Sequence, residues 1–448
     1  MTIQPLPPDR TPSTVQSAIQ GKSSEELLAE SMSSTVVRDV AESGALQNEG
    51  AIETRFRSRH VALVGSGLLA VAVALAATNL RISVTSTSSV LADISHGLAA
   101  SPAWTSAITA APSVCFGLAA VLAPWLARRL GSGSAIAVSL AVLLVGLLVR
   151  VAGGSTVLLV GTFAASSGIA VCNVLIPVVV KESFPKRLGL VTGIYSAALA
   201  AGSASAAALT PPLSTALGGW RLGLAVWAAP VLLALVVWLI GARRTVVVAG
   251  SGSTSAQERR RSMFRSPLAW VATLLFAAQS TYAYVIMGWL PQILRDSGID
   301  RDTAGMLLGV TMVVAVPLNL FVPALAARLK SQSALVVLMT VVPAIGVVGL
   351  LSAPTAAPLL WTLLLGLGTG IFPVVLTMMA LRTRTSAETA QLSAMAQGVG
   401  YLISSVGPFA TGLVHGALGS WTVPLLLVLA VLLVQAVLGA VFGRPRFV

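Results

Sequence analysis

The sequence predicts an all-α membrane protein, twelve transmembrane helices in two pseudosymmetric six-helix bundles, and three observations carry that reading. Apolar residues fill 56% of the 448 positions and charged residues 10%, with a mean hydropathy of +0.89, far from a soluble domain. From Val61 onward, uncharged apolar runs long enough to cross a hydrocarbon core of about 30 Å succeed one another with short polar breaks. The cations collect in those breaks, so a formal charge of +13 does not point to nucleic acid. Cys115 and Cys172 fall inside apolar runs and read as small core residues. No zinc spacing, P-loop or Rossmann glycine pattern occurs, so neither metal nor cofactor is expected.

In order, Met1 to Arg59 is polar and lacks the basic start and apolar core of a cleaved signal. It is expected to stay as a disordered cytoplasmic tail. A first bundle, 60–241, holds spans near 61–92, 103–127, 134–152, 155–180, 188–212 and 221–241. A linker, 242–266, carries a Gly/Ser stretch from Gly250 to Ser255 and the cluster Arg259-Arg260-Arg261. A second bundle, 267–443, holds spans near 267–291, 303–327, 333–352, 358–381, 391–415 and 421–442, and 444–448 closes the chain. With the amino terminus inside, all but five of the 28 cationic residues fall on the cytoplasmic side. That bias predicts a multi-pass protein of the cytoplasmic (inner) membrane with both termini in the cytoplasm.

The first span is unusual in its second half. Val61 to Ala77 carries no charge, then Asn79-Leu80-Arg81 is followed by a run of hydroxyls from Ser83 to Ser89. At helical spacing Thr78, Arg81, Thr85 and Ser88 share a stripe, which predicts a polar face around a fixed cation lining a water-filled cavity. The bland alternative is an arginine snorkelling to the headgroups.

The halves also echo each other. Pro124 to Leu130 closes the second span as Pro323 to Leu329 closes the eighth, and Ile176-Pro177-Val178-Val179 matches Phe372-Pro373-Val374-Val375. Duplicated units of this kind hold substrate near the midplane. The two six-helix halves, the long linker and the basic loop after the second span resemble the major facilitator superfamily. Within it, Asn79-Leu80-Arg81 with its hydroxyls, Arg150, Ile176 to Lys181, Gly193 to Leu199, Trp289-Leu290-Pro291, Gly366 to Pro373 and Gln397 to Tyr401 resemble the cyanate and 2-nitroimidazole porters. The likeness runs from about Ser58 to Gly443. It implies alternating-access transport of a small solute. Two departures stand out: Arg128 follows Leu126-Ala127 where the superfamily commonly has aspartate, and Ile82 stands where proline commonly follows the arginine, which puts a kink there in question.

No carboxylate lies within the spans, so the counter-ion of a buried Arg81 would be the substrate, a small anion or strongly polar solute. Candidate substrate-binding residues are Asn79, Arg81, Thr85, Arg150, Asn173, Tyr195, Gln279, Tyr282, Gln397 and Tyr401, with Asn319 and Thr377 weaker. Several have plainer readings: Arg150 as an interfacial cation, Asn173 as interhelical glue, a tyrosine as a headgroup anchor. Arg128, Arg129, Lys181, Glu182 and Arg328 are expected on the cytoplasmic rim as a gate in which Glu182 is the nearby acid. Facilitated diffusion, anion exchange and symport with a coupling proton stay open. A monomer is expected, and an enzyme is not, since no nucleophile–base pair lies within the spans. A drug or metabolite exporter of the same fold is the alternative.

Overall fold

The computed structural model describes residues 67–184, 187–241, 263–384, 386–446 and 448. The expected tail 1–59, the linker through Ser262 and Lys186 lie outside the described residues.

Every regular element among the described residues is helical. The first span comes in three pieces, Gly67–Thr78, Ile82–Ser89 and Leu91–Leu98. The second to fifth are Pro102–Leu130, Ser132–Val149, Ser155–Ser183 and Leu188–Ala216, and the sixth is Trp220–Ala225 with Ala228–Gly241. The seventh to ninth are Pro267–Asp296, Arg301–Arg328 and Ser333–Ser352. The tenth is Pro358–Thr369 with Ile371–Leu381, the eleventh Ser386–Ser404 with Val406–Leu418, and the twelfth Thr422–Phe442.

Local chemistry sets the starts. Proline occupies the first helical position at Pro102, Pro267 and Pro358, where its missing N–H costs nothing. Ser101 and Asp300 cap by accepting from the backbone N–H groups of Trp104 and Thr303. Among the described residues, eleven spans are long and apolar enough to cross a membrane. The twelfth expected one, 391–415, falls short: its first helix carries Glu388, Gln391 and Gln397, and the chain breaks at Ser405. Exposed apolar side chains such as Val160, Phe321 and Leu433 form the surface that lipid would cover.

Helix pairing repeats between the halves. The third span lies along the fourth as the ninth along the tenth, the second on the fourth as the eighth on the tenth, and the third on the sixth as the ninth on the twelfth. The first meets the fifth and sixth as the seventh meets the eleventh and twelfth. Between the halves, the fifth packs on the eighth, the second on the eleventh, and Ile82–Ser89 on the seventh. The expected pseudosymmetry is therefore present in the packing itself.

Candidate substrate cleft and gates

The first span stops being helical at Asn79-Leu80-Arg81, although no proline follows. Asn79 and Leu80 donate their N–H groups three residues back, to Ala76 and Ala77, which tightens the turn. The Asn79 side chain donates to the Leu75 carbonyl (2.7 Å) and to the Pro230 carbonyl of the sixth span (3.2 Å). A polar side chain tied to a neighbouring helix thus ends the segment without a proline, and the kink that Ile82 put in question is present. The helix restarts with the amides of Val84 and Thr85 on the Arg81 carbonyl.

That break turns Arg81 into a cleft between the halves, shared with Ser203, Met312, Asn319, Thr369 and Phe372. The guanidinium is half-buried and has no hydrogen-bond or ion-pair partner among the described residues. Tyr195, Tyr284 and Tyr401 stand close enough to feel its charge. Tyr195 donates to Asn173 Oδ1 at 3.2 Å. Tyr401 lies in an aromatic group, its ring centroid 4.9 Å from Phe276 and 5.3 Å from Phe116. Gln397, one turn before it, donates to Ser393 Oγ at 2.8 Å.

Other candidates sit elsewhere. Tyr282 is buried and donates to the Leu365 carbonyl (2.7 Å), pinning the seventh span to the tenth. Gln279 is buried against Ser280 Oγ (2.6 Å), and Thr85 Oγ1 donates to the Arg81 carbonyl (3.1 Å). Gly366 and Gly370 face the eighth span at Thr311 and Leu318, a packing role.

Arg150 is wholly buried, neither at a headgroup surface nor among the residues lining the cleft. Its Nη1 donates to Thr87 Oγ1 (3.0 Å) and to Ser83 Oγ (3.1 Å) and O (3.3 Å), and its Nη2 to Ser86 Oγ (3.4 Å). Much of the hydroxyl run therefore solvates Arg150. The predicted stripe is divided, with Arg81 in the cleft and Ser88 in a separate small cavity with Ser83, Thr87 and Ser166. Of the cleft residues, nothing in the sequence marks Ser203 or Met312, which look like any other residue of an apolar span, and Phe372 stands out there as part of a repeat and not as a binding residue.

The two ends of the molecule differ. At one end Asp93 joins the halves: Oδ1 accepts from Arg295 Nη1 at 3.2 Å, and Oδ2 lies 2.8 Å from Arg301 Nε. Arg301 also donates to Thr215 of the first half (3.1 Å). Nearby, Trp421 donates to Asp296, and His415 stacks on Trp421 with ring centroids 3.8 Å apart. Backbones close up there too. A Cβ on Gly305 would lie 2.7 Å from the Ala207 carbonyl, and one on Gly412 would collide with Ser106 and Trp289. At the opposite end Arg128, Arg129, Lys181, Glu182 and Arg328 are all exposed, and no ion pair joins them among the described residues. Ion pairs and close backbone contacts join the halves at the Asp93 end, and no ion pair joins the expected rim residues at the other among the described residues.

Residues 69–408 match the Major Facilitator Superfamily. The chain belongs to that superfamily. It is a transporter and not an enzyme. It is 34% identical over 380 residues to a 2-nitroimidazole transporter of Escherichia coli (strain K12), covering 85% of this chain and 96% of that one. It is 33% identical to the uncharacterised transporter YycB of Bacillus subtilis (strain 168), over 83% of this chain and 92% of that one. It is 29% identical to the cyanate transport protein CynX of Escherichia coli (strain K12), over 77% and 88%. A bacterial homologue of the lysosomal transporter Spinster, inward-facing and unoccupied, superposes with a TM-score of 0.71 at 14% identity, covering 85% of this chain and 98% of that one. That last likeness bears on fold alone. Within the superfamily fold, the Arg81 cleft lies between the two six-helix halves.

Proposed function

We propose that the protein carries a small anionic or strongly polar solute across the cytoplasmic membrane by alternating access, with Arg81 as the group that recognises it. The observation that supports this is an arginine at a helix break, facing the cleft between the halves, with no acid near it. An unpaired guanidinium within a membrane span costs roughly 2.5–3.5 kcal/mol on insertion scales, so it calls for water or a ligand of opposite character. Its planar fork suits two oxygens or an electron-rich edge. Broken helices of this kind line the midplane site of other transporters. Kinship with 2-nitroimidazole and cyanate transporters fits a compact, electron-rich solute.

The bundles at 60–241 and 267–443 rock about this cleft. The arginine-rich Arg128 end faces the cytoplasm, following the positive-inside rule, so the Asp93 end, where the halves are joined, faces out. The protein works as a monomer.

A thermal-shift screen of small anions and polar heterocycles on the purified protein, wild type beside Arg81→Ala, tests the reading. A solute that stabilises the wild type should lose that effect in Arg81→Ala. Equal stabilisation of both by every hit would reduce Arg81 to a structural cation. Uptake or efflux of the labelled hit by cells then sets the direction.

A further inference from the structure

The Arg81 cleft has a second bank. Asn319 reaches it from the eighth span, in the half opposite Arg81 and Ser203. Its Oδ1 is shut off from solvent and accepts no hydrogen bond. Ser203 Oγ, on a residue 1% exposed, is likewise without a partner. Two shielded polar atoms left unpaired in one cleft are costly unless something arrives to satisfy them. Arg81 can only donate, whereas the Asn319 amide oxygen can accept. The cleft therefore offers donors from the first half and an acceptor from the second. Met312 and Phe372 supply apolar walls between them, suited to the face of a flat ring.

Taking Arg81 as the anchor, we propose that Asn319 is a specificity-determining residue that accepts a hydrogen bond from an N–H of the solute. The solute is then a small planar molecule with an electron-rich edge for Arg81 and an N–H on another side. It is not a bare anion such as cyanate, which brings no donor and leaves Asn319 unpaired. A ligand that touches both halves also gives the two bundles a reason to close on it.

The test measures binding to the purified full chain of three probes, below the pH at which the ring ionises. These are 2-nitroimidazole, its 1-methyl derivative and its 4-methyl derivative, the last keeping the N–H while adding the same bulk. Wild type should bind the two N–H probes at least about tenfold more tightly than the 1-methyl probe, the scale set by leaving a buried polar group unpaired. Asn319→Leu should erase that preference, weakening the N–H probes and leaving the 1-methyl probe unchanged. Asn319→Gln should restore part of it. Asn319→Ser gives the same comparison should the leucine variant not fold.

Equal binding of all three probes by wild type, no binding of 2-nitroimidazole, or a preference that survives Asn319 substitution would overturn the inference. If wild type binds the probes without that preference and Arg81→Ala abolishes the binding, the anchor stands and the donor requirement alone is wrong. If Arg81→Ala leaves binding intact, the anchor itself has failed.

Discussion

Two arginines that look alike in the sequence have different surroundings. Arg81 is half-buried and unpartnered, whereas Arg150 is enclosed by Ser83, Ser86 and Thr87. Substitution should separate them. Arg81→Ala is expected to fold normally and lose about 2–5 kcal/mol of ligand binding, the range for truncating one partner of a buried charged contact. Arg81→Lys, which keeps the charge and loses the fork, should fall between. Arg150→Ala is expected to cost about 2–4 kcal/mol of stability, from the cavity and the charge-assisted hydrogen bonds lost together. The fraction that folds should keep wild-type ligand affinity. Melting temperature and ligand titration on the same preparations read both.

At the scale of single elements, the first span and the glycine contacts matter most. The break at Asn79 rests on one amide that bridges the first and sixth spans. Asn79→Leu would let the helix run through and rotate Arg81 away from the cleft. Ligand affinity should then fall even though Arg81 is intact, while Asn79→Asp, which cannot donate to the Pro230 carbonyl, should behave similarly. On the fifth and eighth spans, Gly305 allows the Ala207 backbone to come close. Gly305→Val should force those helices apart at the Asp93 end, at an overpacking cost of about 1–3 kcal/mol. Distances between spin labels across that end should shift toward the open form, with little change in overall melting.

At the scale of the whole molecule, the halves are held by the Asp93–Arg295–Arg301 group, which bridges first-half and second-half spans. The three side chains are about a quarter exposed, so screening limits their worth. Asp93→Asn should weaken closure by about 1 kcal/mol, near the upper end for exposed pairs, a shift of about fivefold between the two access states. Labels across both ends should report it as opening at Asp93 and narrowing at Arg128. An unchanged distribution would mean that the glycine contacts hold that end without the ion pairs.

Span number, helical class and the internal repeat were legible in the sequence, because lipid forces each crossing segment to satisfy its own backbone and to show apolar side chains outward. Arg81 was legible for the same reason: a cation among apolar residues is rare enough to stand out. Of its neighbours only Asn319 stood out, as a weaker candidate, and its pairing with Arg81 did not. Ser203, Met312, Asn319 and Phe372 come from the fifth, eighth and tenth spans, and only the crossing of those helices brings them to one cleft. The stripe drawn through Arg81, Thr85 and Ser88 assumed one unbroken helix. The turn at Asn79 depends on a carbonyl 151 residues away, which no local periodicity contains. Nothing local marks Asp93 either, because only the packing of the seventh and eighth spans brings Arg295 and Arg301 beside it. Composition and periodicity record what each segment must do in the bilayer. Which polar atoms meet is set by helix packing between segments far apart in the chain, so only the tertiary structure could decide it.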